Sequence, residues 1–188
     1  MKFTIAILPV GPIDRSILLY LKNELVKAFP ESTCFTIDEH IEVPEAGYDK
    51  NRRQYRSNHI LGLVQSHAAK TRVANRVLGI VDVDIFIPEL NFVFGEASFP
   101  GRAALISLWR LKPEFNGAKA DAELYTQRSL KEAVHEIGHT LGLRHCPRHS
   151  CVMHFSNSIF DTDKKQSLFC DECYLKATLA IDGLENIK

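Results

Sequence analysis

The feature that most limits what this chain can become is the run His135-Glu136-Ile137-Gly138-His139-Thr140-Leu141-Gly142-Leu143-Arg144-His145. It places three imidazoles and a carboxylate within eleven residues. The run continues a helical pattern that covers Ser129 to Val134. His135 and His139 are four apart, so a helix puts them on one face, one turn above the other. Two imidazoles set this way can converge on one zinc ion, whose ligand nitrogens sit at about 2.0–2.1 Å. Glu136 stands beside the first ligand, where its carboxylate reaches a water on such a metal. Gly142 is the predicted helix stop, because without a Cβ it can take a left-handed conformation and turn the chain sharply. That turn can swing His145 back to the same metal. An accidental histidine-rich helix end does not explain why the glycine and the third histidine fit together.

The rest of the chain reads as alternating strands and helices. Lys2 to Leu8 reads as a buried strand closed by Pro9-Val10-Gly11-Pro12. Asp14 is a predicted N-cap for a helix from about Arg15 to Phe29, with Ile17, Leu18, Leu21 and Leu25 at helical spacing and Pro30 ending it. Thr33 to Ile37 reads as a second strand, and Cys34 within it as a small buried side chain. After a polar turn region over Pro44 to Arg53, a helix is expected from about Gln54 to Ala69. The basic run from Lys50 to Arg56 reads as a solvated loop and helix start rather than an anion clamp. His40, His59 and His67 have no partner at ligand spacing.

Val77 to Ile87 reads as a third strand, with Val81, Val83, Ile85 and Ile87 alternating against Asp82 and Asp84. The two aspartates are expected on its solvent face or at its C-terminal edge. Asn91 to Ala97 and Ala103 to Leu111 read as an antiparallel pair, and from about Glu123 the pattern is helical up to the histidines. The expected fold is α/β: a sheet backed by helices, then a metal-bearing C-terminal region. One domain is expected over 1–188, with a sheet-and-helix part over 1–142 and a smaller part over 143–188.

Lysine plus arginine and aspartate plus glutamate number 23 each, so the basic excess typical of nucleic-acid or anionic-membrane binding is missing. No apolar run approaches the roughly 20 residues that span a bilayer, and the N-terminus does not read as a signal peptide. An intracellular, cytoplasmic protein is the expectation. The five cysteines fit it: four, Cys146, Cys151, Cys170 and Cys173, fall in the last quarter in the pattern C-x4-C-x18-C-x2-C. Two closely spaced thiolate pairs suit a tetrahedral, closed, structural zinc site, with paired disulfides as the competing reading. His149 and His154 are further candidate ligands, although four thiolates already saturate zinc.

These residues resemble the archaemetzincins, a family of the metzincin clan of zinc-dependent metallopeptidases. His135 to His145 matches the metzincin signature, and Met153 stands where those enzymes place the methionine of their Met-turn. The cysteine that follows His145 directly, then Cys151 and the Cys170/Cys173 pair, look like the archaemetzincin version in particular. The resemblance implies a metzincin-like, mixed twisted sheet backed by helices, an active-site helix and a small zinc-bearing C-terminal subdomain. It implies a catalytic zinc on His135, His139 and His145, Glu136 as general base and acid, and a second, structural zinc on the four cysteines. Some members of the wider clan carry a tyrosine two residues after the methionine; here Phe155 has no hydroxyl, so no tyrosine switch is expected.

The implied reaction is peptide hydrolysis on an extended substrate lying beside the strand at Asn91 to Ala97, with Phe92, Phe94 and Trp109 as candidate subsite residues, of which at least two are expected to serve core packing instead. A monomer without nucleic-acid or membrane partners is expected. The alternatives are a non-catalytic zinc-stabilised peptide-binding protein and a zinc-ribbon module for nucleic acid, the latter opposed by the neutral charge.

Overall fold

A computed structural model describes residues 3–29 and 31–185. Lys2, expected to open the first strand, and Pro30, expected to end the first helix, lie outside the described residues. Among those described, the chain runs β1 (Phe3–Val10), α1 (Arg15–Ala28), β2 (Ser32–Thr36), β3 (Tyr48–Asp49), β4 (Gln54–Arg56), α2 (Ser57–Lys70), β5 (Arg76–Val81), β6 (Ile85–Phe86), β7 (Gly95–Ala97) and β8 (Ala103–Ser107). Then follow α3 (Ala122–Thr140), α4 (Ile159–Lys164) and α5 (Asp171–Glu185). Among the described residues, no helix is long and apolar enough to cross a membrane.

The main sheet has the order β2-β1-β5-β8-β7. Its first four strands are parallel, with Ile7 opposite Leu78 and Val77 opposite Ala103 in register. Helices cover both faces, which is why β1 and β5 are almost continuously apolar instead of alternating. Successive residues feed two cores. Ile5, Ile7, Leu78, Ile80 and Ile106 pack with α1, α3 and the C-terminal segments. Ala6, Leu8, Val77, Val81 and Leu105 pack beneath Ile60, Leu61 and Val64 of α2. The C-terminal segments have no core of their own here: Val152, Met153, Cys173, Ala177 and Ile181 belong to the first cluster. β7 runs antiparallel to β8 and forms the outer strand of the sheet.

Three expected elements are redrawn by tertiary contacts. The strand expected over Val77 to Ile87 breaks at Asp82. β5 stays in the main sheet, while β6 joins β4 and β3 in a second, three-stranded one. Asp82 and Asp84 lie in the connection beyond the C-terminal end of β5, held by Lys112 at 2.7 Å and by the Arg110 guanidinium at 2.7 and 2.8 Å. An alternating pattern thus spans two strands turned apart by ion pairs. The helix expected from Gln54 begins at Ser57, because Gln54–Arg56 pairs with β6 and the Tyr55 N–H donates to the Asp84 carbonyl. The pair expected over 91–97 and 103–111 is antiparallel, but its ladder covers only 95–97 and 104–106. Nearby, Arg52 is no solvated lysine-like charge. It donates to the carbonyls of Leu90 and Asn91 and lies 3.9 Å above the Phe86 ring centroid.

Candidate active site and metal centres

α3 is capped by Asp121, whose carboxylate accepts the Leu124 N–H at 2.9 Å. The helix ends at Thr140 and Gly142 follows with φ +86°, the left-handed turn expected of it. His135 and Glu136 are buried, His139 is half-buried and His145 is exposed. The rings of His139 and His145 have centroids 4.9 Å apart, and those of His135 and His145 5.4 Å. One ligand nitrogen from each of the three lies within 4.8 Å of the others.

The surroundings suit a metal. His135 Nδ1 is 2.8 Å from the Val152 carbonyl and His139 Nδ1 is 2.7 Å from the Leu143 carbonyl. Each carbonyl requires the proton on Nδ1, which leaves the Nε2 lone pairs free, and those two nitrogens stand 3.0 Å apart. Burial holds all three imidazoles below their ordinary pKa, most strongly His135, so they present neutral rings. Burial pushes the Glu136 carboxyl well up, Glu132 and Glu96 add to that, and Lys165 opposes them. A carboxyl biased toward holding a proton suits a group that must both take and give one.

The four cysteines are free thiols with their Sγ atoms within 4.8 Å of one another. Cys146 Sγ and Cys170 Sγ are 3.8 Å apart. Zinc–sulfur bonds of about 2.3 Å at tetrahedral angles put sulfurs about 3.8 Å apart, so this spacing fits a four-thiolate site. Burial raises the thiols of Cys151 and Cys173; at Cys170 burial does the same, but hydrogen bonds from Cys173, Cys151 and Cys146 outweigh it and bring the thiol down to about 7. Met153 is fully buried beneath α3: a Cβ added to Gly138 would lie 2.5 Å from its sulfur.

A cleft of about 430 Å³ opens over the histidines, lined also by Phe92, Phe94, Gly95, Glu96, Ser156 and Lys165. Phe92 and Phe94 contact edge-to-face at 5.1 Å and serve both cleft and core, whereas Trp109 lies outside the lining under Lys112. Gly95 permits a close approach: a Cβ there would stand 2.6 Å from Glu136 Cγ, so β7 backbone lies directly against the carboxylate. The bare glycine in a strand pattern was the available signal for this. Lys165 was not legible. It arrives from beyond α4, wholly buried, with Nζ 3.0 Å from Glu132 Oε1, one helical turn before Glu136. That contact is a charge pairing without hydrogen-bond geometry, and the Glu132 oxygen accepts instead from Thr162 Oγ1 at 3.1 Å.

The peptidase family M54 model matches residues 29–178. An archaemetzincin of Pyrococcus abyssi is 42% identical over 186 residues, covering 94% of this chain and 95% of its own. The chain belongs to the archaemetzincins. It is thus a member of a zinc metallopeptidase family, and the fold agrees. The archaemetzincin crystal structure from Methanopyrus kandleri superposes with a TM-score of 0.84 at 33% identity, covering 96% of each chain. That of the Archaeoglobus fulgidus archaemetzincin, solved in complex with malonate, gives 0.78 at 40% identity, covering 93% of this chain and 99% of that one.

Proposed function

We propose that this archaemetzincin hydrolyses peptide bonds at a catalytic zinc held by His135, His139 and His145, and keeps a second, structural zinc on Cys146, Cys151, Cys170 and Cys173. The observation that carries the reading is the convergence of three neutral imidazoles beside a buried carboxylate in an open cleft bounded by an edge strand. Zinc in such a site supplies Lewis acidity and lowers the pKa of a water toward neutrality. The chain's residues do the rest. Glu136 takes the proton of the attacking water and returns it to the leaving amine. Burial, which disfavours its charged form, helps it hold the proton between the two transfers. Among the described residues the outer edge of β7 has no strand partner, so an extended substrate adds there by main-chain hydrogen bonds, next to Gly95. Phe92 and Phe94 receive apolar side chains. Phe155, 4.9 Å from His145 between ring centroids, offers no hydroxyl to bind or release a metal.

In the same reading the chain is one domain and a cytoplasmic monomer acting on peptides or proteins, with no nucleic-acid or membrane partner; the balanced charge supports the last of these. A peptide-library cleavage profile, run with zinc stoichiometry on wild type and Glu136→Gln, tests the whole. The expected result is two zincs in both proteins and turnover in wild type alone. Full activity in Glu136→Gln would sink the assignment of that carboxylate, and two zincs without any cleavage by wild type would favour a zinc-stabilised peptide binder.

A further inference from the structure

Outside the two metal centres, one pair of side chains repeats their construction. His149, in the loop between Cys146 and Cys151, meets His154, the residue after Met153. His149 Nδ1 and His154 Nε2 are 3.0 Å apart, with ring centroids at 4.5 Å and planes at 66°. His154 Nδ1 is 2.9 Å from the Cys146 carbonyl. The catalytic pair has the same form: Nε2 atoms 3.0 Å apart, centroids at 4.6 Å, and Nδ1 atoms tied to backbone carbonyls. In both places a carbonyl fixes the tautomer and leaves the other nitrogen turned to a neighbouring imidazole.

We propose that His149 and His154 form a third metal seat, open to solvent, for a divalent ion of the zinc, nickel and copper group. Imidazole nitrogens suit these ions. With metal–nitrogen bonds of about 2.05 Å, two ligand nitrogens lie about 2.9 Å apart at a right angle and about 3.3 Å apart at a tetrahedral one. The observed 3.0 Å falls between these values. His154 keeps its Nδ1 proton on the Cys146 carbonyl, and the exposed ring of His149 carries its own on Nε2. Both facing nitrogens then have lone pairs, and water completes the coordination.

The setting favours a cation. On the proposed reading, on which this inference rests for its first two zincs, four thiolates around one zinc dication would carry a net negative charge next to the Cys146 carbonyl that orients His154. The frame is also rigid on one side. His154 sits between buried Met153 and the Cys146 carbonyl, and the Cys146 N–H donates to the Met153 carbonyl at 2.9 Å. His149 is exposed, so an ion reaches the pair without passing the cleft.

The test is a calorimetric titration of the zinc-loaded full-length protein with ZnCl2, paired with electron paramagnetic resonance of one added equivalent of Cu2+. Wild type is expected to take a third equivalent of zinc, and its Cu2+ spectrum to show two nitrogen ligands. In His149→Ala the third equivalent is expected to weaken at least tenfold, since even a supporting contact of a metal histidine is worth about 10–100-fold in affinity. Its first two zincs are expected to stay, and the copper spectrum to lose one nitrogen. Because His149 contacts only the His154 ring among the described interactions, this variant spares the fold. His154→Gln checks the other ligand. Absence of a third equivalent would overturn the proposal and leave a hydrogen-bonded histidine pair. So would a third equivalent that persists unchanged in His149→Ala. The readout is metal binding, so it stands or falls apart from peptide hydrolysis.

Discussion

Replacing Lys165 with methionine is the most informative perturbation of the cleft, because the structure fixes both sides of its energetics. The side chain of Lys165 is 0% exposed and that of Glu132 4%, with 3.0 Å between the charges. At an effective dielectric near 20 this separation corresponds to an attraction of about 5–6 kcal/mol. Removing two ions from water costs several kcal/mol each, so the pair as a whole contributes little net stability. Deleting one partner is different. Glu132 then keeps its desolvation cost and only the Thr162 hydroxyl, and Lys165→Met is expected to destabilise by about 3–5 kcal/mol. Replacing both residues removes both desolvation costs, so Glu132→Met/Lys165→Met is expected within about 2 kcal/mol of wild type, the remainder being the Thr162 hydroxyl bond. Urea unfolding at saturating, constant zinc measures all four proteins, since bound metal otherwise shifts every midpoint. The cycle should return a coupling of about 3 kcal/mol or more. A Lys165→Met cost under about 1 kcal/mol would show that the pair is solvated and the reasoning wrong.

Other outcomes follow from individual residues. In metal-free Glu136→Gln protein, a background that removes the opposing carboxyl, stability should fall as pH drops from 7.5 to 5.5. Burial lowers the histidine pKa values in the fold, so their contribution is fully present above the unfolded value of about 6.5 and is lost below it. A thermal midpoint that is flat or rises on acidification would contradict this. Gly142→Ala forces a side chain into φ +86° and should cost about 1–2 kcal/mol in urea unfolding, with weaker zinc retention because His145 depends on that turn. Equal stability of the two proteins would mean the turn is not held in that conformation. Cys173→Ser should lose the structural zinc and also weaken the catalytic one, read by metal analysis during chelator titration; normal catalytic retention would show the sites to be independent.

What the sequence made legible and what it hid differ in range of interaction. The Asp14 and Asp121 caps, the histidine face of α3 and the Gly142 turn depend on residues within a few positions of each other, and local geometry decides them. The Asp121 cap starts α3 at Ala122, one residue before the expected Glu123. The second sheet was hidden because β4 and β6 owe their existence to pairing between distant segments, and Gln54–Arg56 has no local reason to leave the helix that follows. In the cleft, Glu132 could have been found from its place one turn before Glu136. Lys165 and Ser156 could not, since nothing in their neighbourhood distinguishes them from ordinary polar residues of a loop. α4 announced itself only faintly, through the Ser158 and Asp161 capping box.

His145 and Cys146 are adjacent in the sequence, and backbone hydrogen bonds link the segments that carry the three histidines and the four cysteines. The Val152 carbonyl that orients His135 lies between Cys151, a thiol of the second centre, and Met153, whose sulfur packs under α3 at Gly138. The Cys146 N–H donates to the Met153 carbonyl, and the Val152 N–H donates to the Leu168 carbonyl two residues before Cys170. Consecutive peptide units thus serve the two sites in turn. A metal that gathers Cys146, Cys151, Cys170 and Cys173 also fixes the carbonyl that sets the tautomer of His135 and the chain that carries His145. Binding energy at the closed site is therefore expected to preorganise the open one, which is the coupling that the Cys173→Ser chelator titration reads. That division of labour is physically reasonable: the open site keeps a coordination position for its reaction and cannot itself be the main staple of a C-terminal region that has no separate core.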